Sequence, residues 1–187
     1  MLFFRVNANM EGYTYKYPHP AVACDCVVFG FDGHDVKVLL IERKNEPCRG
    51  MWAFPGGFMN IDETAEDAAR RELQEETGLT LSHIWQLGAY SAVDRDPRER
   101  VISIVFYSLT RQTEVCGGDD AAKARWWPVS EIPPLAFDHD IILSHAMERL
   151  SQAIQFNLVD FSLLNENFTA ADQQRIFESI QDYNGHE

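Results

Sequence analysis

Cysteine is scarce in this 187-residue chain, and the four present (Cys24, Cys26, Cys48 and Cys116) form neither a CxxC pair nor a zinc-ligand spacing. That argues against a disulfide scaffold or a structural zinc centre. Cys24 and Cys26 flank Asp25 in an apolar stretch and read as buried strand thiols, which fits a reducing cytoplasm. Positive charge is also short: 16 Lys and Arg stand against 29 Asp and Glu, for a net charge of −13. A nucleic-acid surface is therefore not expected, because phosphate backbones are bound through Lys and Arg. A small nucleotide-derived ligand is not excluded, since bound cations screen phosphate charge locally. No apolar run approaches the length of a membrane span, and Met1-Leu2-Phe3-Phe4-Arg5 does not open a secretory leader. There is no internal repeat and no low-complexity tract. The six histidines are scattered without ligand spacing.

What is present fits one globular core with an appendage: 45% of residues are hydrophobic and twelve are Phe. Residues 21–31 and 36–43 read as strands joined by the turn Asp32-Gly33-His34-Asp35. Residues 81–93 and 100–110 read as two more, separated by the charged loop Asp94-Arg95-Asp96-Pro97-Arg98-Glu99. Ala124-Arg125-Trp126-Trp127 reads as a short strand ending at Pro128. A long helix is expected from Asp138 to about Phe156, with Ile141, Ile142, His145 and Leu150 facing the core. Tyr13, Tyr15 and Tyr17 alternate before Pro18 and Pro20, as either an edge strand or an arm across a partner. The expected architecture is α/β, a mixed sheet between helices.

One further helix carries the chemistry. Thr64 is its N-cap, Asp67 completes a capping box, and Gly78 stops it because glycine takes the left-handed conformation without a Cβ clash. At about 100° per residue, Glu72, Glu75 and Glu76 fall on one arc about 100° wide. Like charges at i and i+4 oppose a helix by roughly 0.2–0.5 kcal/mol, and the macrodipole at this end favours cations. A hard divalent cation would reverse both effects, since it takes oxygen ligands and keeps sites open for phosphate. The turn Trp52-Ala53-Phe54-Pro55-Gly56-Gly57 can bring backbone carbonyls to the same place. The bland alternative, a solvated acidic face, does not account for the fixed spacing that surrounds these residues.

That spacing is specific. Five residues separate Gly57 from Glu63, seven separate Glu63 from Arg71, and Arg71-Glu72-Leu73-Gln74-Glu75-Glu76-Thr77-Gly78-Leu79 follows. The segment resembles the signature box of the Nudix hydrolases at all nine specified positions. The resemblance implies a Nudix α/β/α sandwich over residues 1–156, with a short C-terminal helical extension over 157–187. It implies Mg²⁺, with Mn²⁺ as an alternative, held by Gly56, Glu72, Glu75 and Glu76. Arg71 would brace the glutamates, while Gly57, Glu63 and Gly78 would be structural. Glu75 or Glu72 is the candidate base. Asp120 is the candidate for the extra acidic residue of a later loop, with Asp119 and Glu99 behind it.

Outer motifs, among them Val38-Leu39-Leu40-Ile41-Glu42-Arg43, Asp94-Arg95-Asp96-Pro97-Arg98, Gly118-Asp119-Asp120-Ala121 and Phe137-Asp138-His139, resemble the ADP-ribose pyrophosphatase branch. The implied reaction converts ADP-ribose and water to AMP and ribose 5-phosphate. Arg43, Arg95, Arg98 and Arg100 are candidates for phosphate or ribose, because a guanidinium matches phosphate oxygens bidentately. Trp126, Trp127, Tyr90 and Phe4 could stack a base, although aromatics beside strands more often belong to the core. Nucleoside triphosphates, oxidised ones, nucleotide sugars and dinucleoside polyphosphates are alternative substrates. Relatives that use ADP-ribose are commonly homodimers.

The same branch contains ligand-sensing transcriptional regulators that append a winged-helix domain. Phe161 to Thr169 resembles the entry to one, and Thr169 caps a further helix of about a dozen residues. With 37 residues after Leu150, three helices and a wing are not expected. The tail therefore reads as a truncated appendage packed on the domain or on a partner, and the unbroken glutamate set favours a catalyst over a sensor.

Overall fold

The computed structural model describes residues 15–117, 121–156, 158, 164 and 168–184. The strands are β1 (Ala21–Phe31), β2 (Val36–Arg43), β3 (Trp52–Ala53), β4 (Gly56–Phe58), β5 (Trp85–Tyr90), β6 (Val101–Arg111) and β7 (Ala121–Pro128). The helices are α1 (Ala65–Thr77), α2 (His139–Gln155) and α3 (Ala170–Asn184). β1 and β2 form the expected hairpin, whose turn closes on Asp32 Oδ1, an acceptor for the amides of His34 at 2.8 Å and Asp35 at 2.9 Å. This is the Asx geometry that lets a short acidic side chain stand in for a backbone acceptor.

The sheet runs β3-β2-β1-β6-β5, with β4 also pairing β1 and β7 also pairing β2. β1 and β6 are parallel from Ala21↔Val101 to Phe31↔Arg111, while the other pairs are antiparallel, so the sheet is mixed. The period-two alternation of a strand then divides β1 between two cores. Val27, Phe29 and Phe31 face the side covered by α2 and α3, whereas Cys24, Cys26 and Val28 face α1. The result is an α/β/α sandwich. Each fully buried large side chain, such as Phe29 or Leu39, contributes about 1.5–3 kcal/mol through removal from water. Burial pushes the Cys24 and Cys26 thiols up to about 12, so both are inert. Among the described residues, no helix is long and apolar enough to cross a membrane.

Four expectations need correction. The strand expected over 81–93 is confined to Trp85–Tyr90. Arginine side chains take the flanking carbonyls instead of a ladder: Arg70 bonds those of Leu81 and Ser82, and Arg100 bonds those of Ser91 and Ala92. β7 begins earlier than expected because it pairs along the whole of β2, from Arg43↔Ala121 to Lys37↔Pro128. In α2, Ile141 is 52% exposed and His145 is exposed, so neither faces the core. The buried stripe instead starts at His139 and runs through Ile142, Leu143, Ala146, Met147 and Leu150, while His145 Nδ1 lies 3.0 Å from the Tyr90 hydroxyl. Finally, α3 spans 15 residues rather than about a dozen, and its Ile176 and Ile180, one turn apart, are fully buried in the core that α2 covers.

Candidate active site

α1 is fixed in phase at both ends. Thr64 Oγ1 accepts the Asp67 amide at 3.1 Å while Asp67 Oδ2 accepts the Thr64 amide at 3.3 Å. At the other end Gly78 adopts φ 73° and its N–H closes on the Gln74 carbonyl. Ala68, Ala69 and Leu73 are buried against the sheet. That phase brings Glu72 and Glu76 to the turn between β3 and β4.

The turn and the helix meet closely. The Gly56 amide donates to Glu76 Oε2 at 2.9 Å, and Glu76 is only 5% exposed. A Cβ on Gly56 would lie 2.8 Å from the Asp25 Cα, and one on Gly57 would lie 2.7 Å from Glu72 Oε2. Gly56 therefore excludes a side chain, a stronger constraint than the turn alone requires, whereas at Gly57 the Glu72 carboxylate would have to move aside.

Arg71 gathers the acidic groups. Its Nε and Nη2 bond both oxygens of Glu63 at 3.0 and 2.7 Å, and Nη1 bonds Glu72 at 2.7 Å and Glu75 at 3.1 Å. Nη2 also reaches the Phe58 carbonyl at 3.2 Å. Glu63 in turn accepts the Asn60 amide at 2.7 Å. Hydrogen bonds from Arg71, then from Asn60, hold the Glu63 carboxyl down at about 2. Glu72 moves the other way: burial raises its pKa, and the bond from Arg71 only partly offsets this.

These groups border a cavity of about 370 Å³. Gly56, Gly57, Arg71, Glu72 and Glu76 line it together with Arg43, Arg95 and Arg98. Glu75 lies off this lining with an exposed side chain. The three arginines differ in what they are free to do. Arg95 forms a two-pronged bond to Asp138, at 3.0 and 2.7 Å, with only 4% of its side chain exposed. Arg98 makes a similar fork on Asp96 but keeps 41% of its side chain exposed. Arg43 gives Nε to the Pro47 carbonyl at 3.0 Å. Arg100 holds the two carbonyls named above and is not part of the lining.

The described aromatic candidates sit elsewhere. Trp126 is buried in the core on the α1 side with its Nε1 on the Thr113 carbonyl at 2.7 Å, and Trp127 packs edge-on to Trp52. Tyr90 meets His145. Phe4, Tyr13, Asp119 and Asp120 lie outside the described residues.

Sequence reasoning gave no site role to Asp25, Phe58, Asp96, Phe137 or His139, although Asp96, Phe137 and His139 belong to the outer motifs; all five line the cavity. Asp25 is 7% exposed and accepts the Ser103 hydroxyl. A carboxylate between two cysteines of a buried strand is itself a signal, since Asp is rarely buried without a partner. His139 is 3% exposed, its Nδ1 accepts the Phe54 amide at 3.1 Å, and burial lowers its pKa. Its neutral form therefore carries the proton on Nε2.

Whether this site suits a cation follows from its donors. Among the described residues, no three His, Cys, Asp or Glu side chains already converge into a cage. Yet the groups at the α1 face are hard oxygen donors, and the absent Cβ atoms of Gly56 and Gly57 leave backbone and carboxylate in contact. Burial pushes Glu72 toward its neutral form, a shift that a nearby cation would reverse. The residues fit an oxygen-liganded divalent ion.

Comparison with known proteins gives the same family. The NUDIX domain model matches residues 19–149. An ADP-ribose pyrophosphatase of Methanocaldococcus jannaschii is 47% identical over 131 residues, 70% of this chain and 75% of that protein. The ADPR responsive transcriptional repressor NtrR of Acinetobacter baylyi is 29% identical over 176 residues, 90% of this chain and 69% of the repressor. The crystal structure of a MutT/nudix family protein from Enterococcus faecalis superposes with a TM-score of 0.82 at 28% identity, covering 94% of this chain and 80% of that one. With its signature helix, its mixed sheet and a family match across most of its length, this chain belongs to the Nudix hydrolase family and is a Nudix pyrophosphatase.

Proposed function

We propose that this protein hydrolyses the diphosphate linkage of ADP-ribose, giving AMP and ribose 5-phosphate, with Mg²⁺ as its preferred ion and Mn²⁺ as a substitute. The observation that carries the reading is the cavity itself, lined both by the carboxylates of Glu72 and Glu76 and by the guanidinium groups of Arg43, Arg71, Arg95 and Arg98. A diphosphate needs both kinds of wall. The pyrophosphatase that is 47% identical to this chain supports ADP-ribose over other diphosphates.

Nudix hydrolases generally use divalent ions. Here Glu72, Glu75, Glu76 and the Gly56 carbonyl would hold one. When bound, the ion neutralises phosphate charge and orients the attacking water. Arg71 keeps Glu63, Glu72 and Glu75 in register, so the ligand set is arranged before substrate arrives. Glu72 or Glu75 accepts the water's proton while a new P–O bond forms and the anhydride P–O bond breaks. Arg43 and Arg98 hold phosphate, and Arg95 fixes the loop that carries Arg98 against the start of α2. Asp120 remains the candidate for a further acidic group.

Residues 1–156 form the catalytic domain in this reading, and the tail is an extension seated through Ile176 and Ile180. Two buried thiols and two others with no disulfide fit a cytoplasmic location. A homodimer is the proposed assembly, to be measured by light scattering.

The likeness to a transcriptional repressor over 90% of the chain favours one rival, a sensor of ADP-ribose acting on DNA. A panel of ADP-ribose, nucleotide sugars, dinucleoside polyphosphates and normal and oxidised triphosphates, with Mg²⁺ or Mn²⁺ and product identification, separates the readings. AMP and ribose 5-phosphate from ADP-ribose support ours. Pyrophosphate from a triphosphate, or sequence-specific DNA binding at physiological salt without turnover, rejects it. Glu76→Gln should retain the fold and lose most ion-dependent turnover.

A further inference from the structure

Part of the cavity lining is built around one strained aromatic residue. Phe137 adopts φ 55°, in the left-handed region that bulky side chains avoid. A residue held there against its preference invites a functional explanation. Its backbone follows Ala136, whose amide is bonded to the Trp52 carbonyl at 2.8 Å, and its ring packs against the small cluster of Ile41, Ala53 and Ala136. The Arg43 guanidinium lies 4.8 Å from the centre of that ring and the Arg98 guanidinium 5.9 Å from it. Arg98 is also 5.3 Å from the Phe58 ring.

Arg43 is in an unusual position for a cation. It is half-buried, its Nε is tied to Pro47, and among the described residues no carboxylate bonds its Nη nitrogens. Burial first, and then the neighbouring Arg98, make its charged form less comfortable. Glu76 and Asp96 offset this only in part, and Asp96 is already engaged by Arg98, so an arriving anion would still relieve a partly desolvated guanidinium beside another. Phosphate oxygens would offset both penalties, and the face of an aromatic ring is where such a cation can wait.

We propose that Phe137 is the specificity-determining platform of the site: its ring aligns Arg43 beside Arg98, which Asp96 holds, as a two-guanidinium slot for a phosphoryl group of a nucleoside diphosphate. This rests on the diphosphate-hydrolase reading and adds to it the residue that orients the anion-binding pair. Phe137 is thus a positioning residue, acting through Arg43 and Arg98. The slot selects ligands that carry a second phosphate, and it works without the divalent ion.

The test uses the full chain, with ADP titrated calorimetrically in EDTA and ADP-ribose kinetics measured with Mg²⁺. Wild type should bind ADP more tightly than AMP. Phe137→Leu should weaken ADP binding roughly tenfold and raise KM similarly with kcat held, while Phe137→Tyr restores both, as a cation–ring contact predicts. Arg43→Lys keeps the charge but loses the planar fork, and should show the same split. Circular dichroism checks that each variant folds. Unchanged ADP affinity in folded Phe137→Leu, or a fall in kcat with KM unchanged, would overturn the proposal. If ADP-ribose is not cleaved but Phe137→Leu still loses ADP affinity, the hydrolase reading fails and the slot stands. Normal cleavage with unaltered ADP affinity in the variants sinks the slot alone.

Discussion

Replacing Arg95 by methionine isolates a buried ion pair that joins the loop before β6 to the start of α2. The guanidinium bonds both Asp138 oxygens, at 3.0 and 2.7 Å, with side-chain exposures of 4% for Arg95 and 15% for Asp138. Asp138 occupies the N-cap position of α2 but makes no capping bond with its side chain. Removing one partner of such a pair leaves an uncompensated buried charge, at a cost of about 3–5 kcal/mol. Residual solvent contact at Asp138 places Arg95→Met toward the lower figure and Asp138→Leu, which strands the more deeply buried guanidinium, toward the upper. For a chain of 187 residues each kcal/mol lowers the midpoint by roughly 2–4 °C. The single variants should therefore melt about 6–20 °C early, and the double variant Arg95→Met/Asp138→Leu should recover most of the loss. Thermal unfolding followed by circular dichroism measures all three. ADP-ribose turnover below the melting range should fall only modestly. If Arg95→Met melts like wild type and yet loses turnover, Arg95 grips substrate instead; if the two single losses simply add, the pair does not act as a unit.

Gly56→Ala should both destabilise the protein, by about 1–3 kcal/mol, and abolish most turnover, because its Cβ meets the β1 backbone rather than a yielding side chain; denaturant melts and initial rates would show it. Thr64→Ala removes half of the capping box and should cost about 1 kcal/mol with KM and kcat unchanged. His139 makes the protein acid-sensitive: burial lowers its folded pKa, so below its ordinary 6.5 the unfolded chain binds the proton first and stability falls as pH drops. Denaturation midpoints between pH 7 and 5 should therefore decline less in His139→Gln than in wild type, and parallel declines would contradict this.

The fold was legible wherever a local rule and the tertiary environment agree. β1, β2 and α1 each carry their own punctuation, in an Asx turn, a capping box and a glycine stop, and their limits follow from residues within a few positions. The limits of β5 did not, because the competitors for its carbonyls, Arg70 and Arg100, lie about ten residues away. The phase of α2 was misread because His139, a polar residue, begins its buried stripe. At the site, the glutamates were legible from spacing, since one helix carries them. Asp25 was not, and Phe137 and His139 were visible only as an outer motif without a role, because only the sheet and the start of α2 bring them to the same cavity as the α1 face.

Three consecutive residues, the two between β3 and β4 and the first of β4, are each fastened to a different layer: the Phe54 amide to His139 of α2, the Pro55 carbonyl to the Cys26 amide of β1, and the Gly56 amide to Glu76 of α1. A segment moored on three sides has already lost its freedom when the chain folds. Ligand arrival need not organise it, so the entropic cost of assembling this corner falls on folding rather than on each turnover.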